Sequence, residues 1–437
     1  MKTIKFLSLA ALALTFAACS NDNDNALVQQ PALQVVKGKV TITAQLAPKG
    51  AATRAVSDKD DGNITVDWAV NEHLAILYIK DEINYEADAT ITAVDGTTGE
   101  ATITFSVEEG TLDNTACTIV YPKSAAKDNH TGVKNAATLL GAQDGTLNDN
   151  LDVRVGAGTI KVTTPSLSVT TQPEAQFAIM KLTLADDAKN LSIMADDITI
   201  AGATLASAGT EFTVAVPAVS SKTVTIVAND ESNNCYYYSK AGVTIAAGKY
   251  YQSSPTMTTL GTESSADVYK ITATSGVTIP DGKTVVLSGV NISNGQITCG
   301  GNTTMILMGT NTVTASASKA AIQIGGSGTT LTITGSGSLT AQGGWGAAGI
   351  GTGLSFKEFG TASNECGAIT IAAGVTSVTA KKSSDTPGPN SIGKGDAANG
   401  GTQTCGTITI GGTVYWDGSD YQNDGNTYLT DDITYEP

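Results

Sequence analysis

The chain has 437 residues, a formal net charge of −16 and only 15% charged side chains. Phosphate backbones and anionic headgroups select clustered cations, so this balance argues against nucleic acid and an anionic membrane surface as partners. Two histidines and six cysteines with no CxxC pair argue against a zinc site, and Thr, Ala and Gly in excess favour strands and turns over helices.

Lys2 and Lys5 precede a mainly apolar run, Phe6 to Ala18, of thirteen residues, too short to span a membrane. It ends Phe16-Ala17-Ala18-Cys19, which resembles a bacterial lipobox. The resemblance implies removal of residues 1–18 as a signal peptide and acylation of Cys19. Residues 19–33 then form a lipidated tether. Its Ser20-Asn-Asp-Asn-Asp-Asn25 stretch resembles the surface-export signal of lipoproteins in some Gram-negative bacteria. The expected location is the outer membrane, lipid-anchored and surface-exposed.

The first strand follows. Val40, Ile42, Ala44 and Leu46 alternate with Thr41, Thr43 and Gln45, the period of a half-buried strand. Next come the breaker-rich residues Ala47 to Thr53 and then Arg54; Arg154 is the only other arginine. Cleavage between Arg54 and Ala55 would untie the strand, exposing an apolar groove and an unpaired sheet edge that another chain's strand could fill. The alternative is an ordinary edge strand with a solvated loop.

From 34 to 260, candidate strands recur at short intervals, among them Leu74–Ile79, Ala101–Val107, Cys117–Tyr121, Phe177–Leu184 and Thr223–Val227. That spacing predicts β-sandwiches, one over 34–165 and one over 166–260, with Pro165 and Pro173 bracketing the junction. Several pieces resemble the fimbrillin-like family of surface pilins: Thr53-Arg54-Ala55, Val66-Asp-Trp68 leading to Leu74-Ala-Ile-Leu-Tyr78, and Ile119-Val-Tyr-Pro122. Gln143 to Asp152, Phe177-Ala-Ile-Met-Lys-Leu-Thr-Leu184 and Ile245-Ala-Ala-Gly-Lys-Tyr-Tyr251 continue the series. At Ala178-Ile179 the chain departs from the pattern, since many relatives carry a histidine after the Phe. The resemblance covers about half the chain. It implies two tandem transthyretin-like sandwiches, a lipidated precursor, cleavage after arginine, and polymerisation with other pilin subunits through a donor strand.

Beyond 266 the composition turns to Gly and Thr. Thr284 to Ile292, Thr303 to Val313 and Thr329 to Leu339 align with one another, and Ala368-Ile-Thr-Ile371 matches Thr407-Ile-Thr-Ile410. Short strands closed by Gly289, Gly309 and Gly335 predict a parallel β-helix over 266–437, with Ile333 and Ile371 inward and Thr332 outward. Cys366 and Cys405 would stack in one column, as thiols or bonded. The segment resembles Gly-rich right-handed β-helix repeats of bacterial adhesins, some of them carbohydrate-binding.

Residues 266–437 lack arginine and histidine, and no carboxylates repeat at rung spacing, so neither a lyase base nor a glycosidase pair is evident. No GxSxG elbow, Walker loop or dinucleotide fingerprint appears in context. The expectation is no enzyme, and no cofactor beyond the lipid at Cys19. Trp345, in Gly343-Gly-Trp-Gly346, and Trp416 with Tyr421 are candidates for stacking on sugars; each could instead cap the core. Asp420, Asp424 and Asp431 fall near EF-hand spacing, a faint Ca²⁺ signal. Together these features predict an all-β, surface-anchored pilus subunit with a glycan or protein receptor. It would sit at the tip, because its C-terminal part enters the solenoid. The alternatives are a non-polymerising glycan-binding surface lipoprotein and, third, a polysaccharide-active enzyme.

Overall fold

A computed structural model describes residues 39–48, 55–58, 64–65, 67–141, 143–146, 151–356, 363–383, 389–398 and 401–436. The signal segment, Cys19, the tether and Arg54 lie outside these residues. The described chain is all-β, with only short helical pieces such as α1 (Ala136–Leu140).

The first module contains β1 (Val40–Leu46), the short pair β2 (Ala55–Asp58) and β3 (Ile64–Thr65), then β4 (His73–Lys80), β5 (Ile83–Val94), β6 (Ala101–Val107), β7 (Thr115–Tyr121), β8 (Arg154–Lys161) and β9 (Ser166–Ala175). Seven of these form a closed barrel in the order β1-β6-β5-β4-β7-β8-β9, with β9 returning to β1. Period-two burial gives it one interior, packed by Ile42, Leu46, Ile76, Ile103 and Ile119. The expected sandwich over 34–165 is therefore a barrel that runs to Ala175. Pro165 lies in the turn of the β8–β9 hairpin, where Lys161 pairs with Ser166. Pro173 sits beside a register shift between Val155 and Ala157, where a missing N–H costs no ladder bond. Both prolines punctuate the barrel rather than link modules.

The second module contains β10 (Phe177–Ala195), β11 (Ile198–Pro217), β12 (Val219–Asn229), β13 (Cys235–Ile245), β14 (Tyr250–Ser253) and β15 (Thr258–Thr259), in a single six-stranded sheet. β10 and β11 lose register between Thr183 and Ala188. Before the shift β10 also pairs with β14, and after it with β12. One long hairpin thus serves both ends of the sheet, around a core of Leu182, Leu191, Phe212 and Ile226.

From Val268 onward, three parallel sheets are visited in rotation. One holds Lys283–Ser288, Thr303–Met308, Thr330–Thr334, Ala368–Ile371 and Ile408–Ile410. The second holds Asn291–Ser293, Thr310–Thr314, Ser338–Gln342 and Ser377–Lys381. The third holds Ile297–Cys299, Ile322–Gln323, Ile350–Gly351 and Ile392–Gly393. Val285, Met305, Ile333, Ile371 and Ile410 fall on successive strands in one buried column. No single turn could bury its inner face alone; stacking gives each inner turn a partner above and below. At the far end Thr413–Trp416 pairs antiparallel with Ile408–Ile410, and Ile433–Tyr435 with Ser377–Lys381, which stops the parallel ladders.

This coil is not strung on a free linker. The outward residues Val286, Ile306 and Met308 pack with Met194, Val227 and Cys235 of the second module in a cluster of their own. Polar contacts extend the seam: Asn229 Nδ2 donates to Ser288 Oγ at 2.9 Å, Gly335 N to Thr199 Oγ1 at 2.8 Å, and Ser336 Oγ to the Leu191 carbonyl at 3.1 Å.

Candidate functional site

β1 is held unequally on its two sides. Against β6 it pairs antiparallel over all seven residues, from Val40–Val107 to Leu46–Ala101. Against β9 only Thr43 and Ser166 are partnered, in parallel. Its outward side chains add Thr41 Oγ1 to Ser106 Oγ at 3.2 Å and Gln45 Nε2 donating to Thr102 Oγ1 at 2.9 Å, again on the β6 side. Val40, Ile42, Ala44 and Leu46 are buried, so the strand fills the seam between β6 and β9 with its apolar face. Beyond it, Trp68 Nε1 donates to the Ala47 carbonyl at 2.9 Å, and Ala47 N donates to Gln172 Oε1 at 3.1 Å.

Ala55 opens β2, which pairs with β3. Arg154 is placed quite differently from a cleavable arginine. It starts β8, is 2% exposed, and donates Nε to both carboxylate oxygens of Asp152 at 2.8 and 2.9 Å. A protease must draw an extended segment into its own site, and a paired barrel strand with a buried side chain does not offer one.

The coil's candidates separate. Trp345 is 45% exposed. Trp416 is 6% exposed and donates Nε1 to the Cys405 carbonyl at 3.0 Å. Tyr421 meets its ring edge-on at 4.8 Å between centroids, and Lys394 Nζ sits 3.7 Å from the Trp416 centroid. Burial pushes the Lys394 ammonium down from its usual range. Trp416 with Tyr421 therefore closes the coil end, and the sugar-stacking expectation for this pair is corrected. Neighbouring Gly and Asp residues suggested exposure, but the open end of the apolar column is what the indole covers.

The acidic stretch is turn-forming. Asp417 accepts from Ser419 N and Asp420 N, both at 2.8 Å. These main-chain hydrogen bonds, the Asp420 one foremost, hold its carboxyl at about 2. Asp420 accepts from Tyr421 N at 2.8 Å, and Asp431 faces Lys382 Nζ at 3.8 Å. Asp424 adopts φ 62° before a short helical turn. Among the described residues no three His, Cys, Asp or Glu side chains converge to hold a metal. Cys366 and Cys405 form a disulfide, so the open choice between thiols and a bond resolves to the bond. Cys117, Cys235 and Cys299 are buried thiols, and desolvation pushes Cys117 and Cys299 up to about 12 and raises Cys235 as well, which disfavours the thiolate at each.

One cluster escaped the sequence reading. His73 Nδ1 lies 2.8 Å from Asp88, Asp88 2.8 Å from Lys123, Lys123 3.4 Å from Glu86, and Glu86 3.2 Å from His130. Partial burial pushes the Asp88 carboxyl up, but hydrogen bonds from Lys123 and His73 outweigh it and hold the group below the usual range. The alternation of Glu86 and Asp88 along β5 was a legible signal; that both histidines of the chain would meet them was not.

No protein-family model and no curated protein matches the chain. Solved structures similar to about half of it include a fimbrial assembly protein from Parabacteroides distasonis, at 12% identity and TM-score 0.29, covering 51% of this chain and 92% of that one. A candidate cell adhesion protein from Bacteroides uniformis shows 11% identity and TM-score 0.29, covering 51% and 98%. A fimbrial protein from Bacteroides ovatus shows 10% identity and TM-score 0.26, covering 50% and 49%. Scores this low do not decide this chain's role.

Proposed function

We propose that the chain is a lipid-anchored, surface-exported pilus subunit of fimbrillin type. Cleavage after Arg54 releases β1, a donor strand from another subunit takes its place, and the C-terminal coil acts as a parallel β-helix carrying the ligand-binding surface. The observation that carries this reading is the asymmetric seat of β1. A strand bonded along one neighbour and touching the other at one pair can leave without dismantling the remaining ladder. While it is covalently tied, its effective concentration is around millimolar, so a partner strand is outcompeted. After cleavage it is retained chiefly by burial of Val40, Ile42 and Leu46, roughly 5–9 kcal/mol at ~1.5–3 kcal/mol per large aliphatic side chain. A better-matched donor presenting the same alternation exceeds that. The burial of Arg154 supports Arg54 as the arginine available for processing, and the disulfide fits an oxidising, extracytoplasmic location.

The last described strand, Ile433–Tyr435, is paired inside the coil end, so it is no free donor. A subunit that accepts a strand without donating one belongs at the tip. Arg54→Ala is expected to leave the chain folded, lipidated at Cys19 and absent from pili, while wild type begins at Ala55 and labels filament ends. Incorporation of uncleaved Arg54→Ala into filaments would overturn strand release, and immunogold labelling along whole shafts would overturn the tip position.

A further inference from the structure

The three tryptophans of the chain divide by environment. Trp68 and Trp416 are buried and donate their indole N–H to carbonyls. Trp345 stands out of a loop whose neighbours Gly343, Gly346 and Ala347 are buried, and among the described residues its indole has no hydrogen-bond partner. It does nothing for the core.

Its backbone is nonetheless fixed. Ala347 N donates to the Gly344 carbonyl at 3.0 Å, closing a turn with Trp345 and Gly346 at its centre. Gly346 takes φ 65°, the left-handed position that such a turn reserves for glycine. A Cβ on Gly344 would collide with the Ser316 carbonyl, so the loop lies flat on the turn of coil beneath it. Above, Asp396 N donates to the Gly346 carbonyl at 2.7 Å, and the Asp396 carboxylate accepts from Ala397 N at 2.8 Å. A ring presented from so rigid a base loses little freedom when it binds.

The main chain of two lysines borders the loop. Gly344 N donates to the Lys319 carbonyl below and Gly343 N to the Lys381 carbonyl above, each at 2.9 Å. Lys270, Lys283 and Lys382 have polar partners within the chain, and Lys394 lies over Trp416. Lys319 and Lys381 have none among the described residues. Two lysines without a side-chain partner among the described residues, their main chain bordering the loop that carries an exposed indole, point to an anionic partner. The strand entering the loop adds outward Thr340 and Gln342, in register with Thr312 and Thr314 below and Thr379 and Lys381 above.

We infer that Trp345, Lys319 and Lys381 form a platform for an acidic polysaccharide, one carrying uronate carboxylates or sulfate esters. This rests on the coil being the ligand-binding module. The indole covers the apolar C–H face of a pyranose ring. The lysines, as compact point charges, take the acidic groups on either side, and the hydroxyl ladder meets the sugar hydroxyls.

The test is affinity electrophoresis of the full chain in gels containing polygalacturonate, heparin or neutral dextran, at low and high salt. Retardation is expected with an acidic polymer, weakened by salt, and absent with dextran; the polygalacturonate and heparin lanes tell carboxylate from sulfate. Trp345→Ala is expected to weaken binding roughly tenfold or more, while Trp345→Phe, which keeps an aromatic face, retains most of it. Lys319→Gln with Lys381→Gln is expected to remove the salt dependence. Undiminished binding by Trp345→Ala or by the double lysine variant would overturn the platform and leave the coil's ligand-binding role standing. Equal retardation by dextran would overturn the anionic assignment. Retardation by none of the three would overturn the platform and count against the ligand-binding role as well. Processing at Arg54, read from filaments, is independent of all these outcomes.

Discussion

Ile333→Asp compared with Thr332→Asp tests the coil's inside–outside assignment at neighbouring residues. Ile333 is 0% exposed and lies between Met305 and Ile371 in the buried column. Truncating such a residue to alanine costs about 2–5 kcal/mol. A carboxylate there adds several kcal/mol, whether it stays charged without a partner or takes up a proton. The total rivals the ~5–15 kcal/mol that holds a typical domain together. Thr332 is partly exposed between Thr304 and Thr370, so an aspartate there loses only strand preference, up to ~1 kcal/mol. Urea unfolding, followed by tryptophan fluorescence and far-UV circular dichroism, should show the Ile333→Asp coil unfolded or with a sharply lowered midpoint. Ile333→Ala should fall between, and Thr332→Asp near wild type. Equal midpoints for the two aspartate variants would refute the assignment.

Met194→Asp, on the second module's side of the seam, places a charge against Ile306 and Met308 and should convert one unfolding transition into two; a single wild-type transition would show that the seam contributes nothing. The Cys366–Cys405 bond closes a separation of 39 residues, about 4 kcal/mol by the chain-entropy relation, so reductant should lower the melting temperature of wild type and leave Cys405→Ser unchanged. Because the Asp417 carboxyl is depressed to about 2 in the fold, its contribution is complete above its unfolded value and disappears as pH falls from about 4 through about 2. Amide exchange in residues 417–422 should therefore accelerate over that window, and Asp417→Asn should erase the pH dependence; acceleration that persists in Asp417→Asn would assign it to another group.

Local alternation was enough to place many inward residues. Ile42 and Leu46 of β1, and Ile333 and Ile371 of the coil, are buried as their period of two requires, because a strand's faces follow from its own pleat. The run Met305-Ile306-Leu307-Met308 even carried the sign of a strand buried on both faces, although nothing local said what covers the second one. Tertiary structure decided that Met194 and Val227 cover it. It also decided that the first sheet closes, since the Thr43–Ser166 contact joins residues far apart in the chain and leaves no trace in either strand's pattern. Trp345 and Trp416 both sit beside glycine or acidic residues. Only the stacking of the coil puts one at its open end, over an apolar column that needs a lid, and the other on its flank, facing solvent. Which residues face inward is set within a strand; which surface meets another is set by pairings that loop closure brings together, and those are written across the chain rather than along it.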